Sequence, residues 1–269
     1  MIKLEYLVST MNKDEDQIKE LIKKMNIKTS CIIINQNTTI DNTKRVKDMT
    51  IINTTTKGLS KSRNLGIKNS KNDICVLADD DFIYYDDAEK IIKDAYAQIG
   101  DADIIAFKFK YKDNKKKFNK KFWNNKKKIN KMNSLKISSA QITFRRKSIE
   151  NAKVKFDEKF GSGSGQYVSG EENIFLTDCL NKKLKIYYVP ISILEINDNR
   201  KSTWFNGFNE EYFITKGATY TRIYKYINII MILQFAIRKY KLYKKNMSFL
   251  LALKYMIIGS KQIKRDRSK

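Results

Sequence analysis

Three consecutive carboxylates, Asp79, Asp80 and Asp81, close the apolar run Ile74-Cys75-Val76-Leu77-Ala78. Like charges this close repel, and in a water-poor crevice each raises its neighbours' pKa. A divalent cation removes the conflict. Hard oxygen donors suit Mg²⁺ or Mn²⁺, which keep several waters and take one or two carboxylates plus substrate phosphates. At an extended strand end residues i and i+2 share a face, so Asp79 and Asp81 are expected together and Asp80 opposite. This assigns Asp81, with Asp79 directly or through water, to the metal. It leaves Asp80 to accept a hydrogen bond from a ribose or sugar hydroxyl. Upstream, in GLSKSRNLGI (58–67), Arg63 could fork onto a phosphate or a base edge. Gly58 would let backbone approach a ligand. Histidine is absent, which removes Ser-His-Asp and Cys-His catalysis and every imidazole metal site.

These residues need a scaffold that brings strand ends together. Apolar runs at 3–10, 30–37, 49–55, 73–81 and 102–112 read as strands without polar alternation, as expected where both sheet faces are covered. Between them, 12–26 is amphipathic at helical spacing, with Ile18, Leu21, Ile22 and Met25 on one face. Segments 59–70 and 85–100 also read as helices, the second ended by Gly100. Such alternation implies a mostly parallel sheet flanked by helices. Ligands bind these sheets at the carboxyl ends of the strands, where strand order reverses, and the three aspartates sit at such an end. Beyond 112 the pattern gives a basic loop, a strand at 136–146, a glycine-rich loop from 161, a helix from about Glu171 and a strand ended by Pro190. From 217 onward the chain reads as helical. Cys31, Cys75 and Cys179 lie far apart in apolar stretches, as buried free thiols would. No cleavable signal is visible at the N-terminus.

GLSKSRNLGI followed by NDICVLADDDFIY resembles the donor-binding core of family 2 glycosyltransferases of GT-A fold, where an Arg-Asn pair precedes a strand ending in Asp-x-Asp. SGEENIFLTDCLNKKLKIYYVP (169–190) is similar to that family's Gly-Glu-Asp acceptor segment and the strand after it. The likeness covers roughly 3–205. It implies an α/β GT-A catalytic domain over 1–205, followed by a basic helical extension over 206–269. It implies an inverting transferase that uses a nucleotide-diphosphate sugar, a UDP-sugar first among them. Asp79 and Asp81 match the metal motif, and Thr10, Asn35, Arg63 and Asp80 are expected at the donor. Glu171 and Glu172 match the family's acidic pair, whose second member is usually the base, so Glu172 is the expected base and Glu171 its substitute. An inverting transfer needs that carboxylate to take the acceptor hydroxyl proton and a cation to hold the departing diphosphate. The chain departs from the family in IINQNT (33–38), where relatives carry an aspartate; Asn35 or Asn37 would bind the base by amide hydrogen bonds instead. It also lacks the histidine after the acceptor helix, leaving Asp198 or Asn197 to replace it. STWFNGF (202–208), with Trp204, is similar to a segment that closes over the donor.

Charge is unevenly placed. The net value is +25, of which 108–131 (twelve lysines, one acid) carries +11 and 200–269 (sixteen cations, three acids) carries +13, leaving +1 for the rest. Neither apolar cluster at 227–237 nor at 247–258 reaches the roughly 18–20 residues that span a bilayer. With lysines on their flanks they fit helices lying on an anionic membrane surface. A lipid-linked acceptor would make such a contact useful; a glycan or lipid-linked acceptor at the inner face of a membrane, in surface polysaccharide synthesis, is what the resemblance to the family implies. The loop 108–131, with Phe118, Phe122 and Trp123, is a second membrane contact or a flap. Two other readings are a basic nucleic-acid-binding protein and a catalytically inactive membrane-bound scaffold. The first leaves Asp79–Asp81 and Glu171–Glu172 without a role, because they would repel a polyanion, so no nucleic-acid partner is expected.

Overall fold

The computed structural model describes residues 2–112, 122–197 and 205–267. Phe118, Asp198 and Trp204, singled out above, lie outside the described residues. The chain runs β1 (Leu4–Met11), α1 (Glu15–Lys24), β2 (Cys31–Gln36), β3 (Asn42–Val46), β4 (Met49–Thr54) and α2 (Leu59–Asn69). It continues through β5 (Ile74–Asp79), β6 (Phe82–Tyr84), α3 (Ala88–Gln98), β7 (Ile104–Tyr111), β8 (Lys127–Lys128) and α4 (Lys131–Ser134). After a 3-10 turn come β9 (Ile142–Arg145), α5 (Arg146–Ala152), α6 (Glu171–Asn181), β10 (Ile186–Ile196), α7 (Glu210–Ile223), α8 (Asn228–Tyr243) and α9 (Phe249–Arg267).

The chain divides into two compact units. The first comprises 1–57, 61–156 and 175–201, and holds one sheet of order β3-β4-β2-β1-β5-β9-β7-β10-β6, with β8 beside β10. Strands β4, β2, β1 and β5 are mutually parallel. The order steps outward from β1 through β2 to β4, then returns to place β5 on the other side of β1. The switch point therefore lies between β1 and β5. Both faces are covered: Tyr6 and Val8 of β1 pack on one side with Ile18, Ile22 and Ile92, while Leu7 packs on the other with Ile67 and Phe175. Helix α1 is held at its start by a capping box between Asp14 and Gln17.

Several features differ from the sequence reading. Strand β10 runs through Pro190 to Ile196 rather than ending there. Phe122 and Trp123, read as part of a membrane contact or flap, pack against Phe109 and Tyr188. Strand β3 is an exposed polar edge strand, so it carries no apolar signal. Strand β9 is shorter than the expected 136–146 and runs antiparallel to both β5 and β7. Helix α7 begins at Glu210, seven residues before the expected start, capped by the Asn209 side chain on the Tyr212 N–H at 2.9 Å.

The second unit comprises 58–60, 157–174 and 202–269. Its helices α7 and α9 cross at two glycines. A Cβ built on Gly217 would stand 1.8 Å from the Met256 carbonyl oxygen, and one on Gly259 1.9 Å from that of Ile214. Among the described residues no helix is long and apolar enough to cross a membrane.

Candidate functional site

In the first unit, strand register sets the donor-side residues in a row. Asn53, Asn35 and Thr10 pair across β4, β2 and β1, and Ser9 pairs with Asp79 of β5. All sit at carboxyl ends of parallel strands, beside the switch point. Thr10 Oγ1 donates to Asp80 Oδ2 at 2.8 Å, tying β1 to the aspartate turn. Asn35 is fully buried, and its amide is spent on structure. It donates to Lys13 O at 2.7 Å and Asn53 Oδ1 at 2.7 Å, and accepts from Lys13 N at 3.1 Å. Asn37, with φ +61°, donates to Asn12 Oδ1 at 2.6 Å.

Arg63 is not a surface guanidinium reaching out. It is 2% exposed, lies 5.4 Å from the centre of the Phe156 ring, and sets Nη2 3.3 Å from Asp79 Oδ1 and 3.4 Å from Oδ2. Ser139 Oγ adds a hydrogen bond to Asp79 Oδ2 at 2.9 Å. Asp79 is thus held by a cation and a hydroxyl. Strand β5 ends at Asp79, and Asp80–Asp81 form a turn. The expected alternation is therefore lost: Asp80 and Asp81, rather than Asp79 and Asp81, line one cavity of about 280 Å³, with Lys24, Met25, Phe82, Ile83 and Asn197. Asn197 N–H donates to the Asp81 carbonyl at 2.9 Å. Among the described residues its buried side-chain Oδ1 has no hydrogen-bond partner. Two carboxylates and an amide oxygen are hard donors of the type Mg²⁺ and Mn²⁺ take. Among the described residues no three carboxylates or thiols gather as a metal site. The burial of Tyr84 pushes its hydroxyl well above the ordinary value, helped by Tyr6 and the charges of Asp79 and Asp81. Burial likewise pushes the Cys31 and Cys75 thiols to about 12, which leaves them unreactive.

In the second unit, α6 opens at Glu171, directly after Gly170 with φ +106°. Glu171 is buried; Glu172 is partly exposed. A Cβ on Gly161 would come within 3.2 Å of both Glu171 Cδ and Ser60 Oγ, so glycine there makes room for the carboxyl. The Gly58–Ser60 segment is knit to the glycine-rich loop: Leu59 N–H donates to Ser162 O at 2.9 Å, and Ser60 Oγ to Phe160 O at 2.6 Å. Gly58, expected to admit a ligand, instead packs on Gly163, whose carbonyl oxygen would lie 3.3 Å from an added Cβ. Lys216 on α7 was not anticipated. Burial lowers its pKa, partly offset by the charges of Glu171 and Glu172, and its ammonium lies 5.3 Å from the Tyr212 ring centre. Nothing in the local sequence marks it or Ser139, because each meets its carboxylates only through tertiary contact. A cavity of about 870 Å³ in this unit is lined by Gln166, Glu210, Glu211, Gln262 and Arg265, among others.

The sequence profile described as Glycosyl transferase family 2 matches residues 7–153, more than half of the chain. No curated protein gave a match. Among solved structures, residues 1–349 of S. aureus TarS in complex with UDP-GlcNAc give a TM-score of 0.63 at 12% identity, covering 91% of this chain and 74% of that one. The same TarS segment in complex with UDP gives 0.60 at 13% identity with equal coverage. A crystal structure of S. aureus TarS gives 0.62 at 13%, covering 91% of this chain and 45% of the TarS chain. At these identities the likeness is one of fold, the mixed α/β GT-A architecture.

Proposed function

The chain belongs to glycosyl transferase family 2, and from that premise we propose an inverting, metal-dependent glycosyltransferase that moves a sugar from a nucleotide-diphosphate donor to a glycan or lipid-linked acceptor. The reaction serves surface polysaccharide synthesis, peripherally at the inner face of an anionic membrane. The observation that carries the reading is the aspartate turn beside the β1/β5 switch point, tied to Thr10 and opening on the cavity with Asn197. Asp80, Asp81 and Asn197 Oδ1 would hold Mg²⁺ or Mn²⁺. A bound ion supplies positive charge against the departing diphosphate. Lys24, in the same cavity, adds a cation of the same use. Arg63 and Ser139 fix Asp79, so its charge shapes the field at the strand end while Asp80 and Asp81 stay at the cavity. Glu172 takes the acceptor proton; its partial exposure favours it over the buried Glu171, since a base must come within about 3 Å of the hydroxyl it deprotonates.

TarS was crystallised with UDP-GlcNAc and with UDP, which makes these the first donors to test. Saturating UDP-sugar with Mn²⁺ should raise the melting temperature by several degrees, since ligand at about 100 times Kd stabilises by ~2.7 kcal/mol. Asp81→Asn should abolish the Mn²⁺-dependent part of the shift and slow donor hydrolysis. A panel of nucleotide-sugars that leaves the melting temperature unmoved with either ion refutes the proposal.

A further inference from the structure

Helix α8 is apolar on two sides. One side is buried through Met231, Ile232, Phe235, Ala236 and Tyr243. The other carries a second stripe: Tyr226 just before the helix, then Ile230, Leu233, Ile237 and Tyr240, at steps of four, three, four and three. That spacing keeps one face of a helix for about 21 Å. The stripe is open to solvent, with Tyr226 86%, Ile230 63% and Ile237 65% exposed. Arg238, Lys241 and Lys245, also exposed, follow along one flank at helical steps. On α9, Leu250, Lys254, Ile257, Lys261 and Lys264 repeat the four-three spacing on an exposed face, mixing apolar and cationic residues. From 212 to 265 there are twelve Lys/Arg and no acid.

We propose that the exposed face of α8, with the Leu250 end of α9, lies in the surface of an anionic lipid bilayer. The inference rests on, and gives a surface to, the peripheral membrane contact of the function proposed above. Large apolar side chains in a continuous row seek the acyl boundary, while cations beside them meet lipid phosphates. Neither helix is long and apolar enough to cross, so the face lies along the surface. A second copy of the chain suits the face less well. Pairing two such faces would bring many cations together with no acid between 212 and 265 to meet them.

The test is cosedimentation of the full chain with phosphatidylcholine vesicles, with and without phosphatidylglycerol. The wild type should bind only the anionic vesicles, and less at high salt. Ile230→Glu/Ile237→Glu, at exposed positions that bear on no buried contact of α8, should lose more than about tenfold in binding, from the loss of apolar burial. Arg238→Gln/Lys241→Gln/Lys245→Gln should bind more weakly and with a shallower salt dependence, since the cations of α9 remain. Stabilisation by UDP-sugar should be unchanged in both variants, which keeps this test separate from that of the transfer reaction. Full binding by Ile230→Glu/Ile237→Glu overturns the assignment of the face while the membrane reading stands. No binding by the wild type overturns both. A concentration-dependent dimer that the double variant disrupts, without vesicle binding, gives the face to a second copy and overturns the proposal.

Discussion

The glycine pair at the α7/α9 crossing supplies a sharp test of how the second unit is held. In Gly217→Ala the new methyl would lie 1.8 Å from the Met256 carbonyl oxygen, 2.5 Å from its carbon and 2.7 Å from the Met256 Cα. All three are backbone atoms, so no side chain can rotate away. To reach ordinary contact the helices must part by about 1.5 Å, and gaps of even 0.5–1 Å forfeit about a quarter to a half of each dispersion contact. Two effects oppose. Alanine in a helix gains ~1 kcal/mol over glycine. Overpacking costs about 1–3 kcal/mol, and more where nothing yields. With a rigid neighbour the upper end applies, so the net loss is about 2 kcal/mol or more, or roughly 4–8 °C in melting temperature. Gly259→Ala, at 1.9 Å from the Ile214 oxygen, should cost a similar amount. The double variant should cost less than the sum, because helices already parted accept the second methyl. Gly100→Ala is the control: nothing lies within 4 Å of its added Cβ, and its stability should stay within about 0.5 kcal/mol of wild type. Thermal and urea unfolding of the four proteins reads all of this. A Gly217→Ala protein as stable as the wild type would show that the helices do not pack as closely as described.

Glu172→Gln should lower kcat by about 10²–10⁴ with donor binding kept, whereas Glu171→Gln, buried beside Gly161 and Ser60, should lower the melting temperature; a larger kcat loss in a stable Glu171→Gln enzyme would reverse the assignment. Arg63→Ala strips Asp79 of its cation and should cost about 3 kcal/mol in urea unfolding, the lower end for a broken buried pair because Asp79 is a quarter exposed; Arg63→Lys should recover only part, and wild-type stability in Arg63→Ala would refute the pairing. Burial lowers the Lys216 pKa, so above that lowered value and up to about 10.5 the unfolded chain binds more protons there and stability rises with pH. Lys216→Met should remove this rise from the urea midpoints measured between neutral and alkaline pH, and an unchanged slope would refute the desolvation.

Local sequence determined the alternation of strands and helices, the position of Asp79–Asp81 at the end of β5, the acidic pair opening α6 and the two basic regions. Each is written in neighbouring residues: apolar runs, 3.6-residue periodicity, a cap, a charge count. Which carboxylate does what was decided by contacts between residues far apart. Asp79 is held by Arg63, sixteen residues away, and by Ser139, sixty residues away. Asn35 is consumed by Lys13 and Asn53. No local pattern encodes such pairs, because they exist only once strand order and register are set. The same holds for Gly58–Ser60, which joins the C-terminal helices through the 160–163 loop rather than the sheet unit that follows it in sequence. It holds for α8 as well, which carries apolar residues on two sides, and only packing decides which side is covered and which is left to solvent.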